Sequence, residues 1–127
     1  MNNNNNSETN CIFCKIISKE IPAKIIYQSA LVISFMDINP VTDGHVLVVP
    51  KEHVLWVWDT DKYDEYMFAT REVALMLRKA FNTDMIFSKI YGLDVPHAHI
   101  SLFPAHPSGS SVNSFTIEEN FNKIINS

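Results

Sequence analysis

No run of 18 apolar residues occurs anywhere in this chain, so a transmembrane helix is not expected. Basic residues are not in excess either. Ten Lys and Arg stand against 14 Asp and Glu, and a net charge of −4 leaves no footprint for a nucleic-acid backbone. A small nucleotide is not excluded, because it needs only a few local donors. Residues 1–10 lack both a positive segment and an apolar one, so they are not a signal peptide. Five consecutive asparagines at 2–6 are expected to form a disordered polar head. Cysteine is scarce, and the two present are expected to be reduced in a cytoplasmic protein. No internal repeat is present. What is there is enough for one soluble domain: 127 residues, 46% hydrophobic and 19% charged.

Hydrophobic period divides the chain. Residues 11–19 read as a short helix, with Phe13, Ile16 and Ile17 at helical spacing, broken at Ile21-Pro22. Two β-rich runs at 24–28 and 31–36, separated by Ser29-Ala30, predict a hairpin. A turn at 37–40 leads to a third strand at 44–49, stopped by Pro50. Thr60 or Asp61 is placed to cap a long helix reaching Phe81, with Tyr66, Met67, Val73, Met76, Leu77 and Phe81 near one face. Residues 85–91 and 95–103 predict a fourth and a fifth strand. A Pro/Gly/Ser linker at 105–114 precedes a last helix, opened by a Thr116/Glu119 capping box and carrying Ile117, Phe121, Ile124 and Ile125. Strands arriving in runs around one long helix predict an α+β fold: a five-stranded antiparallel sheet with one long helix and short N- and C-terminal helices.

The segment Asp94-Val95-Pro96-His97-Ala98-His99-Ile100-Ser101-Leu102-Phe103-Pro104 carries the clearest chemical signal. Read as a strand, it puts His97, His99 and Ser101 on one face and Ala98, Ile100 and Leu102 on the other. Two imidazoles about 7 Å apart at Cα could hold a metal or activate one another, or could simply belong to a polar solvent face. Cys11-Ile12-Phe13-Cys14 is a C-x-x-C pair, open to a metal site, a redox pair or two buried thiols. A zinc site needs two more N or S ligands, for which His53 and His97 are best placed and His45 next. Asp37 sits at a strand end, where a carboxylate could accept hydrogen bonds from sugar hydroxyls or be an ordinary turn residue. Trp56 and Trp58 read as packing or interface residues, and His106 as a solvated linker side chain.

Three segments in order, 11–24 (CIFCKIISKEIPAK), 35–53 (FMDINPVTDGHVLVVPKEH) and 92–104 (GLDVPHAHISLFP), resemble the histidine-triad (HIT) family of nucleotide hydrolases and transferases. The likeness spans about residues 11–104, expected as the HIT domain, with 105–127 as linker and packing helix. It is strongest to small dimeric members acting on purine nucleoside phosphoramidates. The family pattern is His-φ-His-φ-His-φ-φ, φ being apolar. The resemblance implies that His99 is the nucleophile and that a backbone carbonyl near His97 fixes its tautomer. Ser101 stands where the third histidine is expected, and a serine cannot carry positive charge. Slower turnover is therefore expected, or a nucleotide-binding module with little turnover.

The resemblance further implies that Asp37 binds ribose hydroxyls, that Phe13, Ile16, Phe35 and Ile38 wall the purine, and that His45 helps orient the triad. Many relatives carry a hydroxyl residue upstream of the triad. Gly92-Leu93-Asp94 replaces it here, and Asp94 is expected to contact or protonate the leaving group. Some relatives with C-x-x-C hold structural zinc, and the resemblance implies the same role for Cys11, Cys14, His53 and His97. The implied partners are a purine nucleotide such as AMP or GMP and a second copy of the chain, joined through the fourth strand and long helix. Dinucleoside polyphosphates are an alternative substrate class.

Overall fold

Every strand of this chain that is apolar on both sides is sandwiched, and that decides the architecture of the computed structural model, which describes residues 10–90, 92, 94–105 and 112–127. The elements run α1 (Ile12–Ile17), β1 (Ile25–Gln28), β2 (Val32–Met36), β3 (Val46–Pro50), α2 (Tyr63–Phe81), β4 (Ile86–Lys89), β5 (Ile100–Pro104) and α3 (Ile117–Ile125). They form the expected five-stranded antiparallel sheet, in the order β1-β2-β3-β5-β4. Both β2 and β3 are buried along their whole length. Val32, Met36, Val46, Val48, Ile100 and Leu102 meet α2 on one face, while Ile33, Phe35, Leu47 and Val49 meet α1 on the other. Among the described residues no helix is long and apolar enough to cross a membrane.

The long helix lies on the sheet through Tyr66, Ala69, Thr70, Val73, Leu77 and Ala80. The expected stripe is thus corrected: Met67, Met76 and Phe81 pack only partly buried at its margins. Small residues at 69 and 80 let the helix backbone approach the sheet. The Tyr66 hydroxyl donates to the Val48 carbonyl at 2.7 Å, so a buried polar group is satisfied. Neither Thr60 nor Asp61 caps the helix. Its N-cap is Lys62, without a side-chain bond, because the Thr60 hydroxyl donates to Glu52 and accepts from the Lys62 amide.

The fifth strand begins at Ile100 rather than at residue 95. The Ala98 amide donates to the Val54 carbonyl at 2.7 Å and the His97 amide to Val95 at 2.8 Å, so the backbone of 95–98 pairs with a loop and with itself instead of with β3. Alternation of side chains nevertheless persists. Ala98, Ile100 and Leu102 join the core under α2, and His97 and His99 lie on the α1 side against Phe13. Gly44, at φ +85°, turns the chain into β3, and a Cβ there would meet the Phe81 ring at 2.7 Å. The α3 capping box forms as expected. Ile124 is buried, but Ile125, one residue further round this short helix, is 46% exposed.

Candidate active site and metal centre

Under α1 the sheet opens into a cavity of about 710 Å³. Its floor is a single rung across four strands, Phe35 opposite Leu47, Leu47 opposite Ser101, and Ser101 opposite Lys89. The Phe13 ring closes one side, edge-on to Phe35 and to His99 at centroid distances of 5.4 Å each. Ile16 continues this apolar wall, and Ile38 stands at the rim, 74% exposed. Asp37, His45, Asp94, His99 and Ser101 line the same cavity. Nine residues singled out in the sequence therefore meet in one place although they come from three separate segments.

Hydrogen bonds fix the tautomers. A carbonyl only accepts, so the 2.8 Å contact between His99 Nδ1 and the His97 carbonyl puts the proton on Nδ1. The lone pair then sits on Nε2 of a side chain that lines the cavity. His45 has the opposite arrangement: the Val41 amide donates to its Nδ1 at 3.0 Å, placing its proton on Nε2. That atom lies 3.4 Å from Asp37 Oδ2, a close contact without hydrogen-bond alignment. Burial pushes the His45 pKa down, Asp37 pulls it back up, and Lys89 adds to the downward push. Asp37 also accepts from the Asn39 amide at 2.8 Å, so it closes the turn as well as facing the cavity.

Behind Phe13 lies a second cluster. The Nδ1 atoms of His53 and His97 are 3.3 Å apart, Cys11 Sγ is 3.3 Å from His97 Nδ1, and Cys14 Sγ is 3.2 Å from His53 Nδ1 and 3.5 Å from His97 Nδ1. All four donor atoms fall within 4.8 Å of one another, and neither cysteine is in a disulfide. A tetrahedral ion bound at ordinary Zn–S and Zn–N lengths sets its ligands about 3.3–3.8 Å apart, so the set fits such an ion. His97 Nε2 donates to the Pro50 carbonyl at 2.8 Å, which leaves the Nδ1 lone pair aimed into the cluster. Burial lowers the His97 pKa to about 4, the Pro50 bond opposing, and keeps the ring neutral as a ligand must be. The Cys14 amide donates to Cys11 Sγ at 3.4 Å.

His97 and His99 thus share a side of the sheet but differ in role, since one ring faces the sulfurs and the other the cavity. His45 stays outside the metal set and belongs to the cavity. Trp56 and Trp58, 44% and 67% exposed, flank a small hollow beside Gly92 and His99 rather than filling the core. His106 lies outside the described residues, as do residues 1–9, so the expected disordered head is also outside them. Sequence reasoning missed Lys89, because only the register of β4 against β5 puts it opposite Ser101.

The HIT domain family matches residues 18–108. An adenosine 5'-monophosphoramidase of Saccharomyces cerevisiae is 34% identical over 121 residues, covering 90% of this chain and 75% of its own. Among solved structures, a Hit-like protein from Bartonella henselae superposes with a TM-score of 0.73 at 31% identity, covering 93% of this chain and 96% of its own. A Zn-bound histidine triad family protein from Mycobacterium smegmatis gives 0.74 at 26% identity, with 94% of each chain covered.

Proposed function

We propose, from the premise that this chain belongs to the HIT domain family, that it is a hydrolase or transferase acting at the α-phosphate of a purine nucleotide through His99. The yeast relative's name, an adenosine 5'-monophosphoramidase, supports a nucleoside phosphoramidate as substrate. The observation that carries the reading is the His99 tautomer, with Nδ1–H on the His97 carbonyl and Nε2 left as the nucleophile. The Nε2 lone pair attacks the α-phosphorus and a P–N bond to histidine forms. The bond to the leaving group breaks, its electron pair going to the departing nitrogen, which takes a proton that Asp94 holds or relays. Water then attacks the nucleotidyl-histidine, the P–Nε2 bond breaks, and the nucleoside monophosphate leaves. The sum is phosphoramidate plus water giving AMP plus ammonia.

In this reading Phe13, Ile16, Phe35 and Ile38 hold the base, Asp37 takes the ribose hydroxyls and His45 helps orient the reacting ring. Ser101, in the place of a third histidine, slows the reaction without abolishing it. The Cys11/Cys14/His53/His97 set holds a structural zinc, which pins α1 to the sheet and takes no part in phosphoryl transfer. A second copy of the chain pairs at β4. That strand is one edge of the sheet, and Phe87 on it, Met85 just before it and Phe68 on α2 are all exposed.

AMP release from adenosine 5'-phosphoramidate tests the reading. Turnover is expected in this chain, to fall about 10³-fold or more in His99→Ala, and to rise in Ser101→His. Mass spectrometry of rapidly quenched protein should show a nucleotidyl adduct on His99. A second reading, a nucleotide-binding module, is favoured by Ser101 and would be correct if AMP bound but neither adduct nor product formed.

A further inference from the structure

An α-phosphate brings negative charge into a cavity whose reacting face is neutral. His99 attacks as a neutral ring, His45 is pushed toward its neutral form by burial, and Ser101 offers only a hydroxyl. Asp37 and Asp94 add negative charge to the same lining. Something must balance the phosphate as charge builds on it in the transition state.

The described lining contains two cations, Lys24 and Lys89. Lys24 pairs with the Glu118 carboxylate, and its ammonium stands 5.3 Å over the Phe121 ring, so it faces α3. Lys89 is placed differently. It ends β4 and is the direct partner of Ser101 across the β4–β5 ladder. Directly paired residues project from the same face with Cβ atoms about 4.5–5.5 Å apart. Lys89 therefore leaves the sheet beside the serine and on the cavity side. Its charge is also felt at His45, two strands away.

We propose that Lys89 is a substrate-contacting residue whose ammonium binds the nonbridging oxygens of the α-phosphate, so that the positive charge absent from position 101 of β5 is supplied from the neighbouring strand. The proposal rests on the nucleotide reading above and deepens it. A lysine stem of four carbons reaches past the serine and ends in a compact ammonium with three donors. The ligand class it selects is a nucleotide with an anionic α-phosphate, in preference to the nucleoside.

The test measures AMP and adenosine affinity by calorimetry, and AMP release from adenosine 5'-phosphoramidate, on the full chain. Lys89→Met is expected to weaken AMP about tenfold and to lower kcat/KM about 30-fold, with adenosine affinity unchanged. Lys89→Arg should stay within about threefold of the parent, since it keeps the charge. In a Ser101→His background Lys89→Met should cost only about threefold, because the histidine shares the charge balance. Should Lys89→Met not fold, Lys89→Gln serves in its place. The proposal is overturned if Lys89→Met binds AMP and turns over like the parent while His99→Ala is dead, and the nucleotide reading then stands alone. Equal loss of AMP and adenosine affinity also overturns it, as the mark of a structural role. If the parent chain neither binds AMP nor releases it, the nucleotide reading fails and takes the proposal with it.

Discussion

The two faces of the sheet are buried by opposite strategies. Under α2 lie Val32, Val46, Val48, Ile100 and Leu102, which with Val73 and Leu77 of the helix make an aliphatic layer in which the Tyr66 hydroxyl finds its acceptor. On the other face α1, a helix of only six residues capped by Cys11, sets Phe13 against His97 and His99 next to an open cavity. One face is closed by a large aliphatic layer, the other by a smaller apolar cluster joined to a few directed contacts. The short α1 buries only Phe13 and Ile16, and in the proposed function a metal held by the four-donor set beside it is the added fastener.

That contrast makes predictions that differ by face. The largest effect should come from metal. Replacing Cys14 by Ala, or chelating the native protein, should remove an ion present at about one per chain and lower the unfolding midpoint by about 10 °C or more. Metal analysis and thermal melts check this, and a chelator-treated protein that melts unchanged would dissolve the contrast. Leu77→Ala, on the other face, should cost about 3 kcal/mol in urea denaturation and leave nucleotide affinity and metal content alone. Asp37→Asn should leave stability nearly unchanged but weaken AMP about tenfold, while a nucleotide lacking both ribose hydroxyls shows no difference between the two proteins.

The smallest effect is a dependence on pH. His45 has a folded pKa below its ordinary value of 6.5, so the folded state binds fewer protons than the unfolded one as pH falls. Its contribution to stability is complete above about pH 6.5 and is lost as pH falls through the depressed folded value. His45→Gln should flatten the stability profile between pH 7 and pH 5, measured by urea titration at each pH, and should leave the pH 8 value of that profile's slope unchanged.

Much of this was legible because it is local. The Thr116/Glu119 capping box, the Ser29-Ala30 hairpin and the alternation through His97, His99 and Ser101 each follow from near neighbours in sequence. The nine cavity residues were legible through three motif segments, not through periodicity. What escaped depends on distant partners. Thr60 looked like a cap, but Glu52 takes its hydroxyl. The strand at 95–99 looked continuous, but Val54 takes the Ala98 amide. Ile125 looked apolar enough for the core, yet nine residues of α3 offer only one narrow buried stripe. Lys89 gave no local sign, since its meaning lies in the register of β4 against β5.

One residue links the four-donor cluster to the cavity on the α1 face. The His97 ring points into the sulfur pair, and its main-chain oxygen sets the proton on the His99 ring. Anyone transplanting the proposed nucleophile onto another scaffold would therefore have to carry its neighbour's backbone, and with it the Pro50 carbonyl and the cysteines packed against that neighbour. The smallest portable unit of this chemistry is not a histidine but a histidine with its foundations.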